Sequence, residues 1–448
     1  MSMKKVLAIA VAAGALAAVS VPAMAFENEF HGMFRLRALM TNFENTAGGT
    51  FATDKLDRTM TVVEQRARLQ YIAKASDDLK LVTHFEIDAS WGDAAYANGR
   101  GTGGGMGADT VNLETKNVYL DFNALDKTNF KVGIQPVSDA YKGIFFIDDV
   151  AGAFASKKFG ALTATAGFSR LQDFAGANAL GRQTLDLYLL DAKFALSKDL
   201  TLGGSYYLVR RDDQYKGQDV HMVGVNAAAK FGIVTADAFV AFQAGDSLAN
   251  GVTKATDQEL SAWAAQVAAK ADLGAAGAIR ANVLYASGDS GNNARKTKAF
   301  QSINSSSGAN NVFGTSSNSY YDSKMLLLMR NVVNMDADKA MVQTTNNGNQ
   351  GVTLGVLGYD ATFSPKLGAS LNVGYAMASN KYKTTADKSL GTELNAQLDY
   401  KLFPSLTNSI MAAYVVLGDH YKGTGTGVAA GSLPSNPYLI GYMMNYTF

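Results

Sequence analysis

Residues Pro437–Phe448 read PYLIGYMMNYTF, and their pattern decides the fold. Tyr438, Ile440, Tyr442, Met444, Tyr446 and Phe448 are large and apolar. Leu439, Gly441, Met443, Asn445 and Thr447, set between them, are mostly smaller or more polar. A repeat of two is a β-strand with one greasy face. Its length suits the ~9–11 residues that a tilted strand needs to cross a bilayer.

The same alternation recurs far upstream. Phe34, Leu36, Ala38 and Met40 alternate with Met33, Arg35, Arg37 and Leu39; Ala67, Leu69 and Tyr71 alternate with Arg66, Arg68 and Gln70. Leu79, Leu81, Phe85 and Ile87 alternate with Lys80, His84, Glu86 and Asp88. A soluble sandwich hides its apolar face in a core. Here the polar face must meet water inside a closed sheet, and the apolar face must meet lipid outside. One segment reads poorly: LDLYLLDAKFAL slips parity near Leu189 and Leu190, which a bulge would explain.

The opposite end of the chain fits export. Lys4 and Lys5 precede the apolar run Val6 to Val19, and Ala23-Met24-Ala25 is a small-x-small cleavage site. These are the parts of a secretory signal peptide, residues 1–25, and Pro22 stands where a membrane anchor would have to continue. Removing those 25 residues from 448 leaves 423, residues 26–448, as one expected transmembrane domain.

Short connections recur between the strands: Ser76-Asp77-Asp78, Leu125-Asp126-Lys127, Phe159-Gly160, Ser197-Lys198-Asp199, Phe231-Gly232, Asp272 to Gly277, Ser364-Pro365-Lys366 and Phe403-Pro404-Ser405. Phe122, Phe159, Phe194, Phe231, Phe363 and Phe403 sit at or just before six of them, as a membrane-interface girdle would. The alternate connections are longer and rich in Gly, Asn, Asp and Ser. The expected fold is therefore all-β: an antiparallel transmembrane barrel of about 18 strands, with 16 as the alternative. Residues 288–349 are expected to form an outer hairpin above the membrane, a plug in the mouth or a subunit contact, the plain hairpin being the default.

Composition narrows the function classes. Charged residues make up 18% of the chain and cysteine is absent, so neither a disulfide framework nor thiolate chemistry is available. Both signal lysines leave with the peptide, so 38 cations face 39 acids, a balance that argues against a nucleic-acid partner. An enzyme would need a nucleophile or an acid–base pair. The four histidines are His31, His84, His221 and His420. His420 beside Asp419 is the best base among them, with no spaced serine or carboxylate partner. Catalytic residues, cofactors and metal sites are accordingly not expected. His84, Glu86 and Asp88 share one strand face at a spacing that suits a cation, and are assigned to lumen lining instead, together with Gln135.

Two features carry the expected chemistry. Arg35 and Arg37 share a face with Arg66 and Arg68, a basic ladder that needs water or facing acids to be tolerated. FKVGIQPVSDAYKGIFFIDDVAGAFASKKFG then holds the connection after the fifth strand. Ile144, Phe145, Phe146 and Ile147 can pack it against the wall, while Asp139, Asp148 and Asp149 project into water. Arginines facing carboxylates across a narrow section would create a transverse field.

With its alternating aromatics, Tyr446 and the closing Phe448, the C-terminal strand resembles the signal by which outer-membrane barrels are handed to their assembly machinery. The connection after the fifth strand resembles the inward-folded loop of general porins. The chain as a whole resembles the trimeric porins, and its layout is similar to the homotrimeric porins of sulfate-reducing bacteria such as Desulfovibrio. That resemblance implies a bacterial outer-membrane homotrimer in contact with lipid, passing ions and small hydrophilic solutes without a cofactor. A substrate-specific channel for sugars or organic acids is the alternative, and a barrel hydrolase a further one. Eighteen strands depart from the sixteen of general porins and resemble sugar channels, whose lumenal line of aromatics is not evident here.

Overall fold

The computed structural model describes residues 27–44, 50–51, 59–93, 103–107, 111–173, 184–213, 216–247, 258–303, 321–329, 340–382, 387–421 and 434–448. The signal-peptide segment and most of the loop GDAAYANGRGTGGGMGAD lie outside them.

Eighteen strands form the wall. In order they are β1 (Glu27–Thr41), β2 (Met60–Ser76), β3 (Leu79–Ser90), β4 (Leu113–Ala124), β5 (Thr128–Ser138) and β6 (Ile147–Phe159). Next come β7 (Leu162–Asp173), β8 (Thr184–Ala195), β9 (Leu200–Asp213), β10 (Lys216–Phe231), β11 (Val234–Asp246) and β12 (Glu259–Asp272). The last six are β13 (Ala278–Ala286), β14 (Val352–Ser364), β15 (Leu367–Met377), β16 (Ser389–Phe403), β17 (Leu406–Leu417) and β18 (Tyr438–Thr447). Each pairs antiparallel with its neighbours in sequence, and β1 pairs with both β2 and β18. The sheet closes on itself, so no strand edge is left without a backbone partner.

The closing seam is tight. The amide of Gly32 donates to the Phe448 carbonyl at 2.9 Å, and the amide of Phe448 returns the bond at 3.1 Å. A Cβ on Gly32 would stand 2.4 Å from the Phe448 ring and 2.6 Å from the Arg68 carbonyl oxygen. Glycine is needed there for close approach. The Tyr446 and Phe448 rings stack at 5.6 Å on the outer surface.

All eight expected short turns are present. Ser76, Ser197 and Ser364 each accept a hydrogen bond from the amide two residues on, at 3.1–3.2 Å. That local bond is why a serine opens these turns. Leu125, Asp126 and Lys127 all adopt positive φ, at 46°, 58° and 59°. The Asp126 carboxylate, anchored by Lys157 at 2.8 Å, is held below the usual carboxylate range. Phe159, Phe194, Phe231, Phe363 and Phe403 are exposed on the outer wall, while Phe122 stacks on Phe130 at 5.4 Å. With Leu190, Val223, Val267, Leu357 and Ile410 above them, they form an apolar belt on the surface. In water that belt would be a liability; against lipid it is the required surface.

The interior departs from a simple polar lumen. One apolar cluster occupies it, drawing inner-face residues from every strand between β8 and β18, with Leu39 of β1 and Val150 of β6. No buried member comes from β2 to β5. Two inward segments account for this core. The connection 139–146 after β5 buries Tyr141, Ile144 and Phe145 against Tyr207 of β9 and Phe239 of β11. Between β13 and β14, Phe300, Ile303, Tyr321, Leu327, Leu328, Met329 and Val342 are also buried. The default hairpin expected for 288–349 is thus corrected in part: 299–303, 321–329 and 340–346 fold inward, while 292–298 stays largely exposed and pairs Lys296 and Thr297 with Glu259 and Leu260 of β12.

The apparent slip in β8 has the same origin. Leu185, Leu187 and Leu189 face inward and are buried, while Tyr188, Leu190 and Phe194 face outward. Parity is regular through Leu189 and Leu190. Both faces are apolar because one meets the surrounding medium and the other meets the inward loop. The register break against β7 falls at Leu185/Asp186, not near Leu189 and Leu190.

Candidate functional site: the charged sector of the lumen wall

The sector spared by the apolar core is the inner face of β1–β4. Antiparallel register sets Arg35 of β1 opposite Arg66 of β2, Arg37 opposite Glu64, Arg66 opposite Asp88 of β3, and Arg68 opposite Glu86. Each facing acid is used. Arg37 pairs with Glu64, and Arg68 with Glu86. The fork of Arg66 holds Asp88 through Nε at 2.6 Å and Nη2 at 2.5 Å. Glu86 also lies 3.5 Å from Arg66, so it bridges two guanidiniums. A small cavity of about 60 Å³ opens beside Arg37, Glu64, Arg66 and Asp88.

Arg35 differs from the other three. Its Nε is buried without a hydrogen-bond partner. No ion pair to it is found among the described residues, and Arg37, Arg66 and Arg68 surround it with like charge.

The belt continues into β4. His84 Nδ1 lies 3.2 Å from Asn117 Oδ1, and Asn117 Nδ2 donates to Asp149 Oδ1 at 2.8 Å. Lys116 pairs with the same carboxylate. Counting Arg35, Arg37, Arg66, Arg68 and Lys116 against Glu64, Glu86, Asp88, Asp149 and Glu114, which register sets opposite Glu86, gives five cations and five anions, an even balance. Such a strip offers donors and acceptors to a passing solute at nearly constant net charge.

Several expected placements are corrected. Asp148 and Asp149 are on strand β6, not on the loop. The Asp149 carboxylate is taken up by Lys116 and Asn117, and Asp148 Oδ1 accepts from the amide of Asp149 at 2.9 Å. Asp139 is on the loop but does not project into water. It is buried, and its two oxygens accept from the amides of Tyr141, Gly143, Phe145 and Phe146 at 2.6–2.9 Å. Burial pushes its carboxyl up to about 6, against the pull of the four amides. A tight loop with four inward amides needs one acceptor at its centre, and Asp139 is that acceptor. Ile147 belongs to β6 rather than to the packed loop. Gln135 is sealed in the wall, its Nε2 donating to the carbonyls of Lys131, Gly133 and Gly152 at 3.2–3.4 Å. The acids that answer the arginines therefore stand on the same wall, which replaces the expected field from loop to wall.

A second carboxylate works as Asp139 does. Glu393 of β16 is fully buried and accepts from the amides of Leu326 at 2.7 Å, Leu327 at 3.0 Å and Leu328 at 2.6 Å. The two inward segments also meet: the Ile303 amide donates to the Phe145 carbonyl at 2.8 Å. This bond ties the two inward segments together within the apolar core.

Sequence reasoning passed over Glu64, Lys116, Asn117 and Glu393. Glu64 was within reach, since it lies two residues before Arg66 on the same face. Lys116 was not, because the register between β3 and β4 shifts between His84 and Phe85. Among the other histidines, His420 Nδ1 lies 3.1 Å from the Asp387 carbonyl oxygen, and burial pushes its imidazole down.

No family model matches the chain, and no curated protein matches it. Solved structures do. OccK8 (OprE) of Pseudomonas aeruginosa superposes with a TM-score of 0.57 at 14% identity, over 94% of this chain and 98% of that one. OccAB4 of Acinetobacter baumannii gives 0.53 at 13% identity, over 95% and 100%. The outer membrane protein opdK from Pseudomonas aeruginosa gives 0.52 at 12% identity, over 94% and 98%. At these identities the likeness is one of fold. It carries the coarse expectation, a barrel of the outer-membrane kind, and none of the three bears on the finer one, a trimeric porin of the sulfate-reducer type.

Proposed function

We propose that the protein is an outer-membrane diffusion channel that passes ions and small hydrophilic solutes along the charged sector of β1–β4. The supporting observation is the division of the interior, with a packed apolar core over β8–β18 and a paired charge belt beside it. Water and solutes follow the polar wall because the apolar side is filled by side chains. Narrowing by two inward segments, together with an unpaired Arg35, favours small anions over neutral solutes of the same size. A substrate-specific channel for organic acids is the second reading that this arrangement supports.

Export by cleavage after Ala25, recognition of Phe448 by the assembly machinery and association into homotrimers belong to the same proposal. They rest on the sequence resemblance. The deciding experiment is single-channel recording from purified protein in planar bilayers. Discrete steps with anion preference at low salt are expected. Absence of conductance from a folded, heat-modifiable barrel would refute the channel reading, and steps that never occur in threes would refute the trimer.

A further inference from the structure

Outside the lumen, the wall formed by β6–β9 is hollowed. Two adjoining grooves of about 520 and 500 Å³ share Ala155, Ala166, Leu190 and Tyr206. Alanines make the floor, while Phe168 and Tyr188 stand at one end with their rings 5.2 Å apart. The groove therefore runs along the strands within the apolar belt. An unfilled furrow there is a place for a chain of methylenes.

Its long-loop end is crowned by charge. Register places Arg170 of β7, Asp186 of β8, Arg210 of β9 and Asp219 of β10 in one row across the outer face. Arg170 is committed to Asp186 through Nε at 2.9 Å and Nη2 at 3.2 Å, which leaves its Nη1 free to donate. Arg210 is the open member, more than half exposed, with its nearest carboxylate, Asp219, at 3.9 Å. One row below, Tyr206 and the exposed His221 are joined through Nδ1 at 2.7 Å. Leu200 to Arg210 is ten residues of strand, about 26 Å along the barrel axis at ~3.4 Å per residue and ~40° tilt. That is the height of the hydrocarbon layer, so Arg210 and His221 meet the headgroup zone while the groove beneath meets acyl chains.

We propose that this face binds one lipid with a phosphorylated headgroup, its phosphate on Arg210, His221 and the free edge of Arg170, and an acyl chain in the groove over Ala155 and Ala166. Charge chooses the head, since a guanidinium takes phosphate oxygens in a fork. Shape chooses the tail. The proposal requires the barrel to lie in a bilayer and is independent of what crosses the lumen. Conductance measured on the same samples keeps the two readings apart.

The test is lipid binding to the full-length protein in detergent, read by native mass spectrometry. Three probes are compared: dipalmitoyl phosphatidate, the dipalmitoylglycerol that has the same chains without phosphate, and glycerol 3-phosphate without chains. Phosphatidate should bind at least tenfold more tightly than either. Arg210→Gln should weaken phosphatidate at least fivefold and leave dipalmitoylglycerol unchanged. Ala166→Phe, which fills the groove, should weaken phosphatidate with conductance intact. Equal binding of phosphatidate and dipalmitoylglycerol would reduce the site to general lipid contact and overturn the proposal. Equal binding of glycerol 3-phosphate would make it a free-anion site and overturn it too. If Ala166→Phe changes the oligomer mass and not lipid retention, a second copy of the chain covers this face instead. Should Ala166→Phe fail to fold, Arg210→Gln alone decides.

Discussion

Asp88→Asn is the sharpest test of the charged sector. The substitution keeps the shape of the side chain and removes one negative charge, which tips the belt's even balance to one surplus cation and frees the Arg66 fork. An ion passing about 5 Å away in water feels a unit charge by about 0.8 kcal/mol without salt. With a screening length of ~10 Å at 0.1 M this falls to about 0.5 kcal/mol, and with ~3 Å at 1 M to about 0.15 kcal/mol. Anions gain what cations lose, so the two effects multiply. At RT of ~0.6 kcal/mol, the anion-to-cation permeability ratio should rise about fivefold at 0.1 M and less than twofold at 1 M. Asp88 is a better choice than Glu86, which is almost wholly buried between two arginines and whose loss would disturb the wall itself. The assay is reversal potential across a salt gradient at the two mean concentrations. An unchanged ratio at both would show that ions do not pass this wall. A change of equal size at both would show that the effect is not electrostatic.

Gly32→Val places carbon atoms where the Phe448 ring and the Arg68 carbonyl already stand, so the seam should weaken by about 1–3 kcal/mol. Heat-modifiability on semi-native gels should report unfolding at lower temperature. Glu393→Ala removes the acceptor of three buried amides, each costing about 1–3 kcal/mol when orphaned, so 326–328 should leave the wall and single-channel conductance should rise. For Asp139, the docked loop holds a proton more tightly than an ordinary carboxyl near 3.9, because its own value is raised to about 6. Docking therefore strengthens as pH falls from about 6 towards 4 and is weaker above 6. Exchange at the Tyr141, Gly143, Phe145 and Phe146 amides, corrected for intrinsic rate, should be more protected at pH 5 than at pH 7, and Asp139→Asn should abolish the difference.

Features fixed by neighbouring residues were legible in the sequence. The greasy positions from Tyr438 to Phe448 face outward, the eight short turns stand where serine, proline, glycine or aspartate announced them, and eighteen strands follow from counting between them. Arg35, Arg37, Arg66 and Arg68 share a face because a period of two allows nothing else. What escaped depends on contacts remote in the chain. Phe145 meets Tyr207, Ile303 meets Phe145, and Leu326–Leu328 meet Glu393; no local pattern encodes these meetings. Once two segments turn inward, the inner face of half the wall must become apolar, and Leu185, Leu187 and Leu189 then look like an error of parity. Asp139 and Asp149 were recognised as acids beside an inward loop, but their roles depend on which donors surround them. Four amides in one case and Lys116 with Asn117 in the other turn an expected field into internal fastening.

The uneven interior also has a mechanical side. Close-packed matter resists compression, and a layer of water behind a sheet offers no such support. From β8 to β18 the wall is backed by side chains and by two bridged segments, so it behaves as a stiff half-shell. From β2 to β5 it is a single sheet braced by paired charges along its own surface. Lateral pressure from a surrounding bilayer would therefore bear first on these four strands, which border the route proposed for solutes.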